Sequence, residues 1–363
     1  MSHETVAPPP FVHVLRGGLL ESVHRGHLVA ATADGRPLAT LGDPFFPTYL
    51  RSAAKPLQAI PVIEEGCADR YGFDDRELAL LCGSVSGQDF HVAAVRSVLA
   101  KAGLDESFLA CGVHRPSHAP TAKRLEEAGE PFLPVHNNCA GKHAAMLALC
   151  AHRGWDPTGY LRPDHPVQRL ILAVVAQMCA LPAGEVGVGV DGCGVPVFRV
   201  PLSSAARAYA RLARPEDDPA VASDRAAAIR RLMAAALAHP EMIAGDDRVC
   251  TETMRLGNRK FFAKTGAEAS YGLAFLDRGL GLAFKVEDGS ARAIEPVVVE
   301  VLRQAGALPP EAVEDLRRFH RPAVRNHRKE VVGELVAVLD LGGALATRRA
   351  EDESPVAAGR PNR

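Results

Sequence analysis

The chain has 363 residues, and 42 lysines and arginines against 43 aspartates and glutamates leave a formal net charge of −1. There is no charge surplus to hold nucleic acid or an acidic membrane surface. At 47% hydrophobic and 23% charged residues the composition is that of a globular protein with a sizeable core, which rules out disorder of the whole chain.

Apolar runs such as residues 170–176 fall far short of the roughly 20 residues needed to span a bilayer. The opening MSHETVAPPP has no basic start followed by an apolar stretch, so no export signal is read and a soluble, cytoplasmic protein is expected. Eight cysteines lie far apart with no dense framework, which makes free thiols the expectation. Cys67, Cys82, Cys150 and Cys179 fall in or beside apolar helical patterns and read as small buried hydrophobes.

In chain order, residues 1–10, with three consecutive prolines, and residues 343–363, without periodicity, are expected to be disordered. Between them, 11–342 reads as one two-lobed domain. Strand patterns at 11–15, 20–23, 28–32 and 38–41, the last two separated by a Gly35-Arg36-Pro37 turn, predict a β-meander. A helical stretch begins near Ser52. Asp74, with Glu77 three residues on and a Phe73/Leu78 staple, marks a helix start. Apolar periodicity predicts further helices at 90–102, 144–152, 166–179, 204–212 and 223–238. Strand patterns interrupt them at 186–190 and 197–200 and return at 261–264, 270–276 and 280–286; helices at 292–305 and 310–319 and a strand at 331–339 close the chain. Strands, then helices, then strands predict an α+β fold, an antiparallel sheet flanked by helices. Its sheet would come from about 11–50 and 255–340, and its mostly helical lobe from about 51–254. No internal repeat is present.

Three constellations can carry chemistry. In Arg51-Ser52-Ala53-Ala54-Lys55-Pro56, Pro56 is tolerated only near a helix start, which puts Ser52 at a helix N-terminus with Lys55 three residues on, on the same face. A serine hydroxyl is a poor nucleophile until a base takes its proton, and a neutral lysine is such a base; an N-capping serine beside a solvated lysine fits the same short pattern. Lys264-Thr265-Gly266 on a strand echoes the pairing of S-x-x-K with K-T-G in serine β-lactamases and penicillin-binding enzymes, and Ser84 occupies the chain order of the middle hydroxyl element, though only partially matched. The third constellation joins His136-Asn137-Asn138-Cys139-Ala140-Gly141-Lys142-His143 to Asp191-Gly192-Cys193-Gly194. Two loop cysteines with His and Lys nearby suit either a zinc site or buried structural thiols.

Taken in order, R-S-A-A-K-P (51–56), C-G-S-V-S-G-Q-D-F-H (82–91), C-G-V-H-R-P (111–116), H-N-N-C-A-G-K-H-A (136–144), D-G-C-G-V-P (191–196), H-P-E-M (239–242) and A-K-T-G-A-E (263–268) resemble the rhizobial-type (class 3) L-asparaginases over about residues 11–340. The resemblance implies a serine β-lactamase- and glutaminase-like fold, a homodimer, and hydrolysis of L-asparagine to aspartate and ammonia. It implies Ser52 with Lys55 as the nucleophilic pair and Ser84 with Lys264 as the second pair. It further implies Zn²⁺ on Cys139, Lys142 and Cys193, and Arg51, Asn137, His143 and Asp191 around the substrate. Val85, Gln88, Ala140, Ala145 and Ala269 depart from the family pattern, which would have His, Glu, a small hydroxyl residue, Gly and Gly there. The competing readings are a related serine hydrolase acting on glutamine or a lactam, and a catalytically silent amino-acid-binding relative.

Overall fold

A computed structural model of the chain describes residues 7–346. Eleven strands are found among them: β1 (Pro10–Arg16), β2 (Leu19–Thr32), β3 (Pro37–Leu41), β4 (Pro47–Tyr49), β5 (Gly187–Val190), β6 (Pro196–Pro201), β7 (Phe261–Thr265), β8 (Ser270–Phe275), β9 (Leu280–Val286), β10 (Ala323–Arg325) and β11 (Val331–Ala337). The main sheet is antiparallel in the order β10-β11-β1-β2-β9-β8-β7, with β3 on the free flank of β2. The α+β class expected from the sequence is what forms, and both ends of the chain contribute to the sheet.

The expected meander differs in one respect. Residues 20–23 and 28–32 belong to a single strand, β2, whose first half pairs with β1 and whose second half pairs with β9 and β3. The polar His24-Arg25-Gly26 segment looked like a break because two of its members are buried for specific reasons. His24 donates from Nδ1 to Asp288 at 2.6 Å and accepts from Arg292 at 2.8 Å. Gly26 lies where a Cβ would sit 2.7 Å from both the Lys285 carbonyl and the Phe11 ring.

β6 pairs with β4 on one side and β5 on the other in a separate sheet of order β4-β6-β5. β4 has only three residues and begins with proline, so it carries no strand pattern of its own. Its partners hold it, and it leads directly into the Ser52 turn. The helix from Lys55 to Glu64 is buried at every position but the last, the polar Lys55 and Gln58 included. The predicted start at Asp74 is a complete capping box, with Glu77 N donating to Asp74 at 2.9 Å and Asp74 N donating to Glu77 at 2.8 Å. The stretch 310–319 is two short helices, Pro310–Asp315 and Arg317–His320. Helices at Ala119–Ala128 and Val249–Leu256 lie outside the predicted set.

Residues 8–10 are not loose. Arg25 donates to the Pro8 carbonyl at 3.2 Å, Gly26 N donates to the Pro9 carbonyl at 3.1 Å, and Pro10 opens β1. At the other end Leu345 is buried and its carbonyl accepts from Arg278 at 2.7 Å. The disorder expected of residues 1–6 and 347–363 lies outside the described residues. All eight cysteines are buried and free. Among the described residues no helix is long and apolar enough to cross a membrane.

The helix from Leu202 to Ala213 packs on β8 and β9 through two glycines. A Cβ on Gly272 would lie 2.0 Å from the Tyr209 ring, and one on Gly281 would lie 2.0 Å from the Ala206 carbonyl and 2.1 Å from the Ala210 nitrogen. Because the Gly281 obstruction is backbone, it cannot rotate away. Gly281→Ala is expected to destabilise the protein by about 3 kcal/mol, read as a lowered denaturation midpoint; an unchanged midpoint would show that the helix does not bear on β9 here.

Candidate active site

β4 passes through Leu50 into a single tight turn, Arg51–Ala54, that continues as the Lys55–Glu64 helix. The proline-bearing helix start predicted near Ser52 is therefore a turn of 3₁₀ geometry with the α-helix beginning at Lys55. Arg51 enters it at φ 50°, a left-handed conformation that costs a non-glycine residue about 1–2 kcal/mol. Surrounding contacts hold it there. Leu50 N donates to Phe198 O on β6 at 2.9 Å, Ser270 Oγ donates to Leu50 O at 3.0 Å, and Tyr209 Oη donates to Ala53 O at 2.8 Å. Gly266, at the end of β7, lies flat against the same turn: a Cβ there would be 2.7 Å from Leu50 O. In this way the Ser52 turn is fixed between the two sheets.

Lys264, on β7, and Lys55, at the start of its helix, converge on one hydroxyl. Lys264 Nζ lies 2.7 Å and Lys55 Nζ 3.0 Å from Ser84 Oγ. Lys55 Nζ also donates to Asn138 O at 2.8 Å, and Lys264 Nζ to Thr265 O at 3.0 Å. Ser84 is held from behind: its N donates to Ile243 O at 2.7 Å, and Val85 N donates to Asn138 O at 3.1 Å. The expected bond between Ser52 and Lys55 is not among these contacts, since the Lys55 amine turns instead to Ser84 and Asn138. Ser52 and Ser84 line the same cavity of about 290 Å³, together with Asn138, Thr265, Arg248 and Glu295.

Both amines are wholly shielded from solvent. Burial, and then the neighbouring charge of Lys55, bring Lys264 down to about 7. Burial likewise lowers Lys55, against the pull of the Cys139 thiolate. Two ammonium groups on one hydroxyl repel, which favours loss of a proton from one of them, and a neutral amine there is able to accept a hydroxyl proton.

One residue beyond Asn138 a second cluster begins. Asp191 accepts from Lys142 Nζ at 3.0 Å through Oδ2 and from Arg51 Nε at 3.0 Å through Oδ1, while Cys193 Sγ lies 3.5 Å from Oδ2. The neighbouring Cys193 thiol, and the nearby lysines, hold Cys139 well below the usual thiol range against the effect of burial, whereas Cys193, beside Cys139 and buried, is raised. Burial pulls the Lys142 ammonium down, but the thiolate and carboxylate around it more than reverse this. Burial raises Asp191, and its two cations override that to hold it below the usual carboxylate range. Cys139, Asp191 and Cys193 bring their ligand atoms within 4.8 Å of one another, and Lys142 adds an amine 3.0 Å from one of them. Two sulfurs with an amine or carboxylate is the donor chemistry of a soft divalent cation such as Zn²⁺, so the residues present fit that metal.

The remaining candidates have structural partners. Asn137 donates to the Cys111 and Gly112 carbonyls at 2.9 and 3.0 Å and accepts from Cys139 N at 2.8 Å, which shapes the loop that presents Cys139. Its neighbour Asn138 is the one on the cavity wall. His143 shares a 2.6 Å hydrogen bond with Tyr160 through Nδ1, while its buried Nε2 has no partner among the described residues. Arg51, Asn137, His143 and Asp191 are not on the wall of the cavity that holds Ser52. Arg248 and Glu295, which are, stand in no sequence motif that would mark them.

The departures also find physical places. Gln88 accepts from Ser86 Oγ at 2.8 Å and Asp246 N at 3.0 Å, and donates to Asp246 Oδ2 at 2.9 Å, a contact that a glutamate could make only with an extra proton. Ala269 sits at φ 52°, where glycine would be relaxed. Val85 is buried apolar packing. Ala140 and Ala145 are buried in the helix from Ala140 to Arg153.

Residues 12–337 match the family model described as L-asparaginase II. No curated protein matches the chain. Solved structures with some likeness include a beta-lactamase from Mycobacterium bovis, at 16% identity and a TM-score of 0.39 over 77% of this chain and 94% of that one. Another is Mglu in its native form in 4.3 M NaCl, at 16% identity and a TM-score of 0.33 over 81% of this chain and 60% of that one.

Proposed function

The chain belongs to the L-asparaginase II family, and from that premise we propose that it hydrolyses the side-chain amide of L-asparagine to aspartate and ammonia, with Ser52 as nucleophile. The observation that carries this reading is the pair of buried amines on Ser84 Oγ beside the cavity that Ser52 lines. A neutral amine of the pair takes a proton that reaches it through the Ser84 hydroxyl, and Ser52 Oγ forms its bond to the amide carbon. The same group returns the proton to the departing nitrogen as the C–N bond breaks, so ammonia leaves and an ester to Ser52 remains. Water then adds to that ester with its proton passing along the same path, and aspartate departs as Ser52 is restored. Assays for ammonia release with L-asparagine, L-glutamine and a chromogenic β-lactam test the reading. Release from asparagine at a clearly higher kcat/KM is expected; turnover of the lactam alone would replace it with a β-lactamase-like function.

Cys139, Lys142 and Cys193 would hold a zinc ion, with Asp191 next to them. When bound, such an ion supplies a fixed positive charge that neutralises the thiolates and attracts an anionic group. Lys142 gives up its proton to ligate, and Arg51 keeps Asp191 oriented while it does so. Wild-type protein is expected to carry about one zinc per chain, and Cys193→Ala far less, by elemental analysis. Equal zinc in the two would remove the cluster as its site.

A further inference from the structure

The charges of Arg51 and Asp191 satisfy each other and Lys142, which leaves open what reads the two charged ends of an amino-acid substrate. The catalytic cavity carries its own cation and anion. Arg248 immediately precedes the Val249–Leu256 helix, and Glu295 lies in the first turn of the Ile294–Gln304 helix; both residues are on the wall that Ser52 and Ser84 share. Among the described residues neither side chain has a hydrogen-bond or ion-pair partner; Arg248 is exposed, and its charge reaches the Glu295 carboxyl. That is an unusual position for Glu295, which is partly buried: burial raises its carboxyl, and Arg248 and Arg318 only partly offset this. Glu268, the third charged residue on the wall, is exposed like Arg248 but rests against Gly289. A cavity of about 290 Å³ is at the small end of ligand pockets, which run from about 300 to 1,000 Å³, and suits a single small molecule.

We propose that Arg248 and Glu295 recognise the zwitterionic end of the substrate, Arg248 taking the α-carboxylate and Glu295 the α-ammonium of an amino-acid amide. This deepens the amidohydrolase reading and rests on it for the identity of the amide. Two opposite charges on one wall, neither paired through its side chain, complement a ligand that brings both charges on one carbon, and they reject molecules that lack either. The ends of the substrate are thereby read by residues from the last third of the chain, while the nucleophile comes from the first.

Binding of the product reports this recognition without turnover. Titration calorimetry of the full chain would compare L-aspartate with succinate, which lacks the ammonium, and with β-alanine, which lacks the α-carboxylate. Wild type is expected to bind aspartate at least about tenfold tighter than either, the value of one charged hydrogen bond. Glu295→Gln should lose the preference over succinate and keep that over β-alanine; Arg248→Gln should do the reverse. Thermal melts monitored by circular dichroism show whether each variant is folded, and a conservative Arg248→Lys provides a second variant. Variants that keep both preferences overturn the proposal, as does a wild type that does not bind aspartate. A parallel ammonia assay separates the two readings: no release from asparagine, with preferences that still collapse as stated, would end the hydrolase reading and leave the recognition standing.

Discussion

Ser52→Ala is expected to lower ammonia release from L-asparagine by about 10⁴-fold, because the amide carbon then has no serine to bond to and only positioning and charge remain. KM should move little, since Ser52 holds no other group in place. Ser84→Ala should cost less, about 10²-fold, because Lys55 and Lys264 stay in the site and water can bridge their gap. The contrast matters because the hydrogen bonds of both amines end on Ser84, not on Ser52. Mass spectrometry of enzyme quenched during turnover identifies which serine carries the acyl group. If the adduct is found on Ser84 and survives Ser52→Ala, the two serines exchange roles.

Lys264→Met should reduce kcat by about 10²- to 10⁴-fold, the ordinary range for loss of an acid–base group. Its pH signature is more specific. Burial and then Lys55 put Lys264 at about 7, so below that pH it is an ammonium that cannot accept a proton, and above it the amine is free to do so. Wild-type kcat should therefore rise through about pH 7 and level off above it. Methionine keeps the length of the side chain but has nothing to titrate, and its residual activity should lose this inflection. An inflection that persists unchanged in Lys264→Met would assign the titration to another group.

Local chemistry was readable in the sequence wherever a short segment makes its own contacts. The Asp74 capping box closes within four residues, and most long helices follow their apolar spacing. β2 carries the sequence pattern of two strands because the polar stretch that divides it is satisfied by Asp288 and Arg292, more than 260 residues away. β4 is too short to have a pattern and exists because β6 holds it. At the site, motif order led to Ser52, Lys55, Ser84 and Lys264, but spacing along a helix could not tell that Lys55 prefers Ser84 and Asn138 to Ser52. The choice is made by burial: a shielded amine collects every acceptor within reach, and those come from other segments. Arg248 and Glu295 stayed hidden because single charged residues at helix starts are commonplace, and only the folded chain sets them on one wall.

The bond between Ser84 and Lys264 joins residues 180 positions apart, and the sheet that carries Lys264 is completed by pairing β9 with β2 from near the start. A chain leaving the ribosome consequently has its helical lobe and its serines long before it has the second amine. Until the β7 to β9 segment has emerged and found β2, no partial product of synthesis holds both amines on Ser84 as the proposed proton relay requires, so shorter nascent chains should be inert and activity should switch on abruptly once that segment has paired. Contacts of such long span also form slowly, which makes the onset of catalysis after dilution from denaturant a direct clock for closure of the sheet.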